Sequence, residues 1–343
     1  TINDIVPINK QRLRIRFFDQ RKKLDKPVLS QRGGVNNELL PLILGGSNLS
    51  PVILTNAATM DYRVSLLPLE SLVILDSGVA TTVTADLAAG TFQLSVPAAG
   101  ELRANTTAAH KTPLAIAQYL AGLAGINTVT TANFGALQNT MQLHCLVNSD
   151  ATIDAVLTEI LQPLGIYHRV TLAGDLELML LDHAGSAQHI IRPSMIESGS
   201  LQPTDPIQPA STVRVHWQRN YSPFSESGIA SRFDPATATA ADLETRERLL
   251  AEYQLIERST GFNSTDYEAE DFYTTLAVES EAIAEANRRL SVRSVKRVPW
   301  TLSVFPAGMS IREGDRVQII HPRFGLAGGR TGTVTRAKLR LGN

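Results

Sequence analysis

The stretch SVKRVPWTLSVFPAGMSIREGDRVQIIHPRFGLAGGRTGTV, residues 294–334, decides the fold class because short strand patterns alternate in it with turn residues. Residues 300–304 (WTLSV) alternate large apolar with small polar side chains, which is the period of a half-buried strand. Gly314 and Asp315 form a turn pair, and residues 316–320 (RVQII) after it are predicted to be a second alternating strand. Glycines between 325 and 332 then permit tight bends. The stretch predicts a small closed β module, a type that assembles or binds more often than it catalyses.

Length and composition set the scale of the molecule. The chain has 343 residues, and single hydrophobic cores stop growing at roughly 250–300 residues, so two or three domains are expected. Hydrophobic residues make up 43 % and charged residues 19 %, which argues against disorder. The net charge of −1 gives the chain no general attraction to nucleic acid or to an anionic membrane. The charged start shows no secretory signal, and no apolar run approaches the roughly 18–20 residues of a spanning helix, so no membrane insertion is expected.

The sequence contains one cysteine, Cys145, which excludes an intrachain disulfide. A lone cysteine fits a reducing compartment, or assembly inside a cell. The residue types around it (LHCLV) predict a small buried apolar residue rather than a nucleophile. His144 does not activate it, because successive residues of a strand point to opposite faces.

A basic strip begins the chain. Residues 10–18 (KQRLRIRFF) alternate basic with apolar side chains, which places Arg12, Arg14 and Arg16 on one face of a strand. Two interpretations stay open. The strip faces an acidic partner, a lumen or a phosphate backbone, or it is a charged edge strand that discourages edge-to-edge pairing.

Helical patterns occupy the middle of the chain. Thr112 and Pro113 are a cap and a first helical residue, and Gly125 stops that helix. A second helix opens near residue 149 and ends at Gly165, and a hairpin follows it over 166–181. Two further helices are predicted, and they cover residues 239–257 and 276–290.

These patterns predict a mainly β protein with α+β character, built as two barrel-like β domains plus an α/β block. The first barrel-like domain covers 1–108. The α/β and helical block covers 109–182 and 236–290. The second barrel-like domain combines 183–235 with 291–343.

Known catalytic patterns are missing from the sequence. It holds no Walker loop, dinucleotide glycine fingerprint, G-x-S-x-G elbow or H-E-x-x-H pair. His183 and His189 lie six residues apart among small and apolar neighbours, and two surface-loop histidines are favoured over a metal site. We therefore predict no enzyme, no catalytic residues, no cofactor and no metal.

Two polar groups remain as candidate sites. Residues 266–273 (DYEAEDFY) combine acidic with aromatic side chains, which favours a solvated face or a socket for a basic partner over a hydrolytic carboxylate pair. Trp217, with Arg214 and Arg219, is either a stacking platform for sugars or bases, or a core aromatic beside a snorkelling arginine. The second interpretation is favoured.

The carboxyl-terminal third carries a resemblance to a known family. A helix over 281–290 (EAIAEANRRL) leads into 298–304, then 311–317 (IREGDRV) and 321–330 (HPRFGLAGGR). This succession resembles the end of tailed-bacteriophage tail-tip or baseplate hub proteins, and related ends occur in gene-transfer-agent tails. The block from 112 to 178 is similar to the segment that such hubs place between two β-barrels. The resemblance covers about two-thirds of the chain.

The resemblance implies a structural virion protein with a tail-hub architecture. Three copies would form a ring that closes the tail tube and docks the spike or central fibre. The implied partners are the chain itself as a homotrimer, distal tail or tube proteins, and a tape-measure protein. It also implies a location at the tail tip or baseplate after assembly in the host cytoplasm. Arg12, Arg14 and Arg16 would then face a partner subunit or the lumen.

Two alternatives come from other functional classes. Residues 314–317 and 329–334 also resemble the glycine-rich strand–turn pattern of KOW or SH3-like RNA-binding proteins, although the net charge of −1 opposes that function. The second alternative is a tail-associated cell-wall hydrolase, for which the sequence offers no clear acid/base or metal constellation.

Overall fold

The computed structural model describes the backbone of residues 2–9, 12–17, 20–171, 173–181, 186–262, 267–305 and 310–337, with side chains from residue 21 onward in these ranges. The strands are, in chain order, β1 Ile2–Asn9, β2 Arg12–Phe17, β3 Arg32–Gly33, β4 Glu38–Leu39, β5 Leu42–Leu44, β6 Gly46–Pro51, β7 Ile53–Asn56, β8 Asp61–Arg63, β9 Leu69–Asp76, β10 Val79–Thr81, β11 Thr84–Asp86, β12 Thr91–Gln93, β13 Leu102–Ala108, β14 Val129–Ala132, β15 Cys145–Val147, β16 Ile166–Val170, β17 Leu176–Leu180, β18 His189–Ile191, β19 Gln202–Pro203, β20 Thr212–Trp217, β21 Gln254–Ser259, β22 Ala269–Tyr273, β23 Trp300–Thr301, β24 Arg316–Ile319 and β25 Arg330–Thr333.

Three of the described helices begin directly after a capping threonine, at Thr112, Thr152 and Thr239. The described helices are α1 Pro113–Ala124, α2 Ala136–Thr140, α3 Ile153–Leu161, α4 Ala240–Leu250 and α5 Glu279–Arg293, with short 3₁₀ turns at Gln20–Asp25, Gln162–Leu164, Pro193–Met195, Glu226–Gly228 and Ser231–Phe233. The Thr112 hydroxyl accepts a hydrogen bond from the amide of Ala115, and Gly125 ends α1 in the left-handed conformation at φ 72°. The prediction for α1 is confirmed at both ends.

Two four-stranded antiparallel sheets form the first β region. One has the order β10-β9-β13-β6 and the other β11-β12-β8-β7. Ile74 and Ala104 from the first sheet share one buried cluster with Phe92 from the second, and Tyr62 stacks on Phe92 with ring centroids 4.9 Å apart. The two sheets therefore enclose a common core. Strands β11 and β12 form a hairpin around Gly90 in the second sheet.

The α/β unit follows as a three-stranded sheet covered by helices. β14 is parallel to β17, and β16 is antiparallel to it, so the order is β14-β17-β16. Helices α1 and α3 pack on this sheet, and their apolar residues join the largest hydrophobic core of the described chain. The predicted hairpin over 166–181 is confirmed.

A second three-stranded sheet, β21-β20-β22, shares the same core. β20 is antiparallel to β21 and parallel to β22. Val213 and Val215 of β20 are fully buried, and α5 packs against this side of the sheet. The helix predicted over 276–290 is confirmed as α5, and the helix predicted over 239–257 is correct for α4 but wrong for the residues of β21. Helix α4 ends at Leu250 because residues 254–259 pair with β20, and this non-local pairing overrides local propensity.

The terminal stretch forms a small sheet of order β18-β24-β25, with β18 parallel to β24. Its core contains Ile191, Val317 and Leu326. The predicted continuous strand over 300–304 is shorter than expected, since only β23 is regular. Residues 196–207 instead pair antiparallel with 297–304, from the Ile196–Val304 bridge to the Ile207–Arg297 bridge. We call this two-stranded connection the ribbon.

The architecture confirms the mainly β class with α+β character, since strands hold 34 % of residues and helices 23 %. Among the described residues no sheet closes into a barrel, so the barrel-like regions are open sheets. The closed module predicted for 294–334 is likewise an open sheet, with the order β18-β24-β25, and its strand β18 comes from outside the stretch. The division into domains at 108, 182, 235 and 290 stays a prediction.

A buried carboxylate anchors α5 between its neighbours. The Glu285 side chain is fully buried and accepts hydrogen bonds from Arg288 Nε at 2.7 Å and Arg289 Nε at 2.7 Å. Arg289 also donates to the carbonyl of Pro163, and its guanidinium carbon lies 3.7 Å from the ring centroid of Phe272 in β22. One carboxylate thus orients arginines that contact both the α/β unit and the β20 sheet.

We predict that Glu285→Gln lowers the free energy of unfolding by about 3–5 kcal/mol, because removing one partner leaves buried arginine charge uncompensated. Urea unfolding followed by circular dichroism measures the difference. The matched control is Glu279→Gln on the exposed first turn of the same helix, for which a change within about 0.5 kcal/mol is expected. Equal effects of the two substitutions would show that the Glu285 network does not hold α5 in place.

Candidate functional site

The outward face of the β21-β20-β22 sheet is the first candidate surface. Alternation in β20 buries Val213 and Val215 and turns Arg214 and His216 outward. The strand registers place Glu257 and Asp271 on either side of Arg214. Arg214 Nε lies 2.8 Å from Glu257 Oε2, and His216 Nε2 lies 2.8 Å from Asp271 Oδ1. The face therefore carries an ordered row of side chains paired across strands.

Three rings form an aromatic group at one end of this face. His216 stacks on Tyr273 with centroids 4.2 Å apart and ring planes 13° apart. Tyr253 meets both rings edge-on, at 5.9 Å from His216 and 5.4 Å from Tyr273. Because Tyr253 is nearly equidistant from the two stacked rings, it lies beside the stack rather than on the far face of Tyr273. The Tyr273 side is open, since this residue is 55 % exposed.

A cleft of about 440 Å³ adjoins the aromatic group, between β22 and the end of α3. Glu159, Gln162, Arg219 and Asp271 line it together with Tyr273, and its other lining residues are Thr158, Pro163, Tyr253, Phe272, Thr274 and Thr275. We call it the Tyr273 cleft. It combines aromatic rings with carboxylate, amide, guanidinium and hydroxyl groups, which are the groups that orient polar organic ligands.

Arg219 is the cationic centre of the Tyr273 cleft. Its Nη1 donates to Glu159 Oε1 at 3.1 Å, and its guanidinium carbon lies 5.1 and 5.7 Å from the ring centroids of Tyr221 and Tyr253. Nε is 3.4 Å from Glu252 Oε1, which is within ion-pair distance but not aligned as a hydrogen bond. Arg219 is thus held by two carboxylates and two rings.

Cys145 is buried within range of the charges of Glu159 and Arg219, which line the cleft, and its sequence neighbour His144 is half-buried. Burial raises the pKa of Cys145 to about 12, with the nearby Glu159 carboxylate adding to the rise. Burial and the charge of Lys111 lower the pKa of His144 to about 4. At neutral pH the thiol is therefore protonated and the imidazole is uncharged, so the pair lacks the thiolate that a nucleophile requires. The prediction of a structural cysteine is confirmed, since Cys145 is buried.

A second cleft, of about 430 Å³, lies between the α/β sheet and the terminal sheet. It is lined by charged pairs. Arg169 Nε lies 2.6 Å from Glu177 Oε2, and His189 Nε2 lies 3.3 Å from Asp315 Oδ2. His189 is thus paired with Asp315, whereas His183 lies outside the described residues.

The basic strip has a defined backbone. Arg12, Arg14 and Arg16 lie in β2, which pairs antiparallel with β1 and confirms the predicted strand. Their side chains lie outside the described residues. The structure therefore confirms that the three arginines lie on a β-strand.

Strand alternation in β22 turns neighbouring side chains of the acidic-aromatic run to opposite faces of the sheet. Glu270 turns inward and pairs with Arg293 of α5 at 2.9 Å, whereas Asp271 turns outward to His216. Trp217 is partly buried against the main core, so the interpretation of a core aromatic is confirmed. The exposed ring is Tyr273, which the sequence did not single out. An aromatic residue at the end of a mixed acidic strand was the available signal.

Among the described residues, no three His, Cys, Asp or Glu side chains are grouped closely enough to hold a metal ion. Within the same ranges, none of the helices has the length and apolar character needed to cross a membrane.

No protein-family model and no curated protein matches the chain. Three solved structures show partial similarity. The tail protein from Neisseria meningitidis MC58 has 12 % identity and a TM-score of 0.37, over 89 % of each chain. The 43 kDa tail protein of prophage MuSo2 from Shewanella oneidensis has 9 % identity and a TM-score of 0.36, over 85 % of this chain and 88 % of that one. Prophage tail protein gp18 from Listeria monocytogenes EGD-e has 10 % identity and a TM-score of 0.31, over 94 % and 85 %. At these TM-scores the similarity does not establish a shared fold and carries no argument about function.

We predict that His144 makes stability depend on pH. Its pKa is about 4 in the folded chain and about 6.5 when unfolded, so the unfolded state gains a proton first as the pH falls. The contribution is complete above pH 6.5 and is lost toward pH 4, which lowers the unfolding free energy by up to about 3 kcal/mol. Urea unfolding at pH 7, 5.5 and 4 measures it. His144→Gln should lose this part of the pH dependence, and parallel curves for both proteins would contradict the assignment.

Proposed function

We propose that the chain is a structural protein of a bacteriophage tail, and that three copies form a hub ring at the tail tip or baseplate. The ring closes the tail tube and docks the spike or central fibre, next to distal tail or tube proteins and a tape-measure protein. The resemblance of residues 112–178 and 281–330 to tail hubs supports this proposal. The observation that carries it is the exposed apolar surface of the ribbon.

The ribbon exposes large apolar side chains that an isolated chain would leave in water. Ile207, Val298 and Val304 lie along it, Val295 and Phe305 lie just beyond its ends, and each of the five is between 36 and 60 % exposed. Exposed apolar groups gathered on one element mark protein interaction sites, whereas single ones are ordinary. Around the ribbon lie small open sheets whose edges offer unpaired backbone groups. A neighbouring copy in a closed ring covers such surfaces, because a heterologous interface closes by rotation.

The basic strip supplies a second contact in this proposal. β1 and β2 form a sheet of their own, and an isolated two-stranded hairpin is marginally stable in water. Cover from another subunit would stabilise the hairpin, and we assign Arg12, Arg14 and Arg16 to that subunit interface rather than to the lumen.

The chemistry of His144 and Cys145 supports a non-enzymatic role. Cys145 and His144 are adjacent in sequence, yet burial moves both pKa values away from those of a nucleophile and its base. Burial also raises the pKa of Tyr221 well above its ordinary value. These groups act in packing: the Tyr221 hydroxyl donates to the His144 carbonyl at 2.7 Å.

We predict a solution mass of three times 37.2 kDa, and loss of the trimer in the double variant Val295→Asp, Val298→Asp. Burying two new carboxylates in an apolar interface carries a large desolvation cost, so the variant should be monomeric across the micromolar range. Light scattering after size-exclusion chromatography measures the mass. Val96→Asp, at an exposed valine of the first β region, is the control and should stay trimeric.

A wild-type chain that is strictly monomeric at high concentration contradicts the proposed ring. Clearing of a peptidoglycan suspension by the purified chain would replace the proposal with the cell-wall hydrolase. Salt-sensitive RNA binding would replace it with the RNA-binding module.

We further predict that changing Arg12, Arg14 and Arg16 together to Ser weakens the trimer and reduces the salt dependence of its dissociation. Charged interface groups lose their effect as salt screens them, so their removal flattens the dependence. Sedimentation at 50, 150 and 500 mM salt follows both quantities. The control changes three exposed basic residues elsewhere, Lys22, Lys26 and Arg192, to Ser. An unchanged trimer in the strip variant assigns the strip to the lumen.

A further inference from the structure

We propose that the Tyr273 cleft is a binding site for a neutral saccharide, with the open face of the Tyr273 ring as its stacking platform. This inference goes beyond the structural role in a ring, and it does not depend on that role. It rests on the ring geometry, the polar lining and the charge balance of the cleft.

The Tyr273 ring is held in a fixed orientation with one face available. Stacking on His216 at 4.2 Å covers one face, and the His216–Asp271 contact at 2.8 Å fixes His216 in turn. Tyr253 supports the stack from the side. A rigid, exposed aromatic ring offers a large contact area at little entropic cost, which suits stacking against a flat ligand.

Polar side chains line the same cleft as the Tyr273 ring. Glu159, Gln162, Arg219 and Asp271 line the same cavity as Tyr273. Carboxylates accept hydrogen bonds, guanidinium donates them, and the amide does both. Sugar hydroxyl groups donate and accept at once, so they match this mixed set better than a ligand with only one kind of group. The volume of about 440 Å³ falls within the range of roughly 300–1,000 Å³ for small-molecule sites.

The charge balance selects a neutral ligand. Glu159 and Glu252 both contact Arg219, and Asp271 contacts His216, so the carboxylates already have partners. A cationic peptide would compete with Arg219 for these oxygens and would meet its charge. A phosphate-bearing nucleotide would meet Glu159 and Glu252 beside Arg219 and Asp271 beside His216, and these carboxylates repel it. A neutral polyol neither competes with Arg219 for the carboxylates nor is repelled by them.

The test uses the full chain and four named disaccharides, namely maltose, cellobiose, lactose and N,N′-diacetylchitobiose. Saturation-transfer difference NMR should show transfer to at least one of them, with the strongest signals from the ring C–H protons that stack on Tyr273. Tyr273→Ala should weaken that binding about tenfold or more, the size of a lost aromatic stacking contact. Tyr273→Phe should keep most of it. Gln162→Ala should weaken it several-fold through a lost hydrogen bond.

Tyr167→Ala is the matched control, because Tyr167 is an exposed tyrosine on β16 outside the cleft lining. Circular dichroism and the thermal midpoint verify that each variant is folded, and Gln162→Ala, in a second lining residue, keeps the test valid if Tyr273→Ala is not folded. The proposal is overturned if none of the four sugars shows transfer, or if folded Tyr273→Ala binds as the wild type does. It is also overturned if tetralysine binds at the cleft while the sugars do not.

Discussion

The buried Glu285 carboxylate is the interaction on which the described fold most depends. It organises arginines on successive positions of α5, and those arginines reach the Pro163 carbonyl on one side and the Phe272 ring on the other. The main hydrophobic core is continuous from the α/β unit to the β20 sheet. Isolated buried charges are costly, so this network is favourable only while all its members are in place. That requirement fixes the position of α5 and, through it, the outward face of the β20 sheet.

Short sequence signals correctly predicted the helices whose ends are fixed by interactions between residues close in sequence. Thr112, Pro113 and Gly125 define α1 because caps and left-handed glycines act within one turn of chain. The same reasoning failed for β21, whose leucine-rich neighbourhood resembles a helix until β20 pairs with it. It also failed for the closed terminal module, since β18 reaches β24 across more than a hundred residues. Pairing between distant strands depends on tertiary contacts that no local pattern contains.

Prediction of the candidate site from the sequence was limited in the same way, because it depends on which of two neighbouring residues faces outward. The sequence favoured Trp217 as a core aromatic over a stacking platform, and Trp217 is partly buried, but nothing in the sequence showed that its neighbour His216 faces outward. A strand has a side-chain period of two, so an error of one position exchanges the core face for the solvent face. The partner of His216 is Tyr273, which becomes its neighbour only through the parallel register of β20 with β22. The stacking of Tyr273 on His216 was thus beyond prediction, whereas the burial of Cys145 followed from its apolar neighbours.

The ribbon gives the molecule a particular response to mechanical load. Its two strands run in opposite chain directions, yet each leads from the β20 sheet and α5 to the terminal sheet. When these two ends are pulled apart, both covalent backbones carry the tension in parallel. The hydrogen bonds between the two strands do not carry that load. Extended strands already rise about 3.3 Å per residue, so the ribbon has little slack to release. The connection is accordingly stiff when pulled along its axis, while twist and bending remain its soft directions.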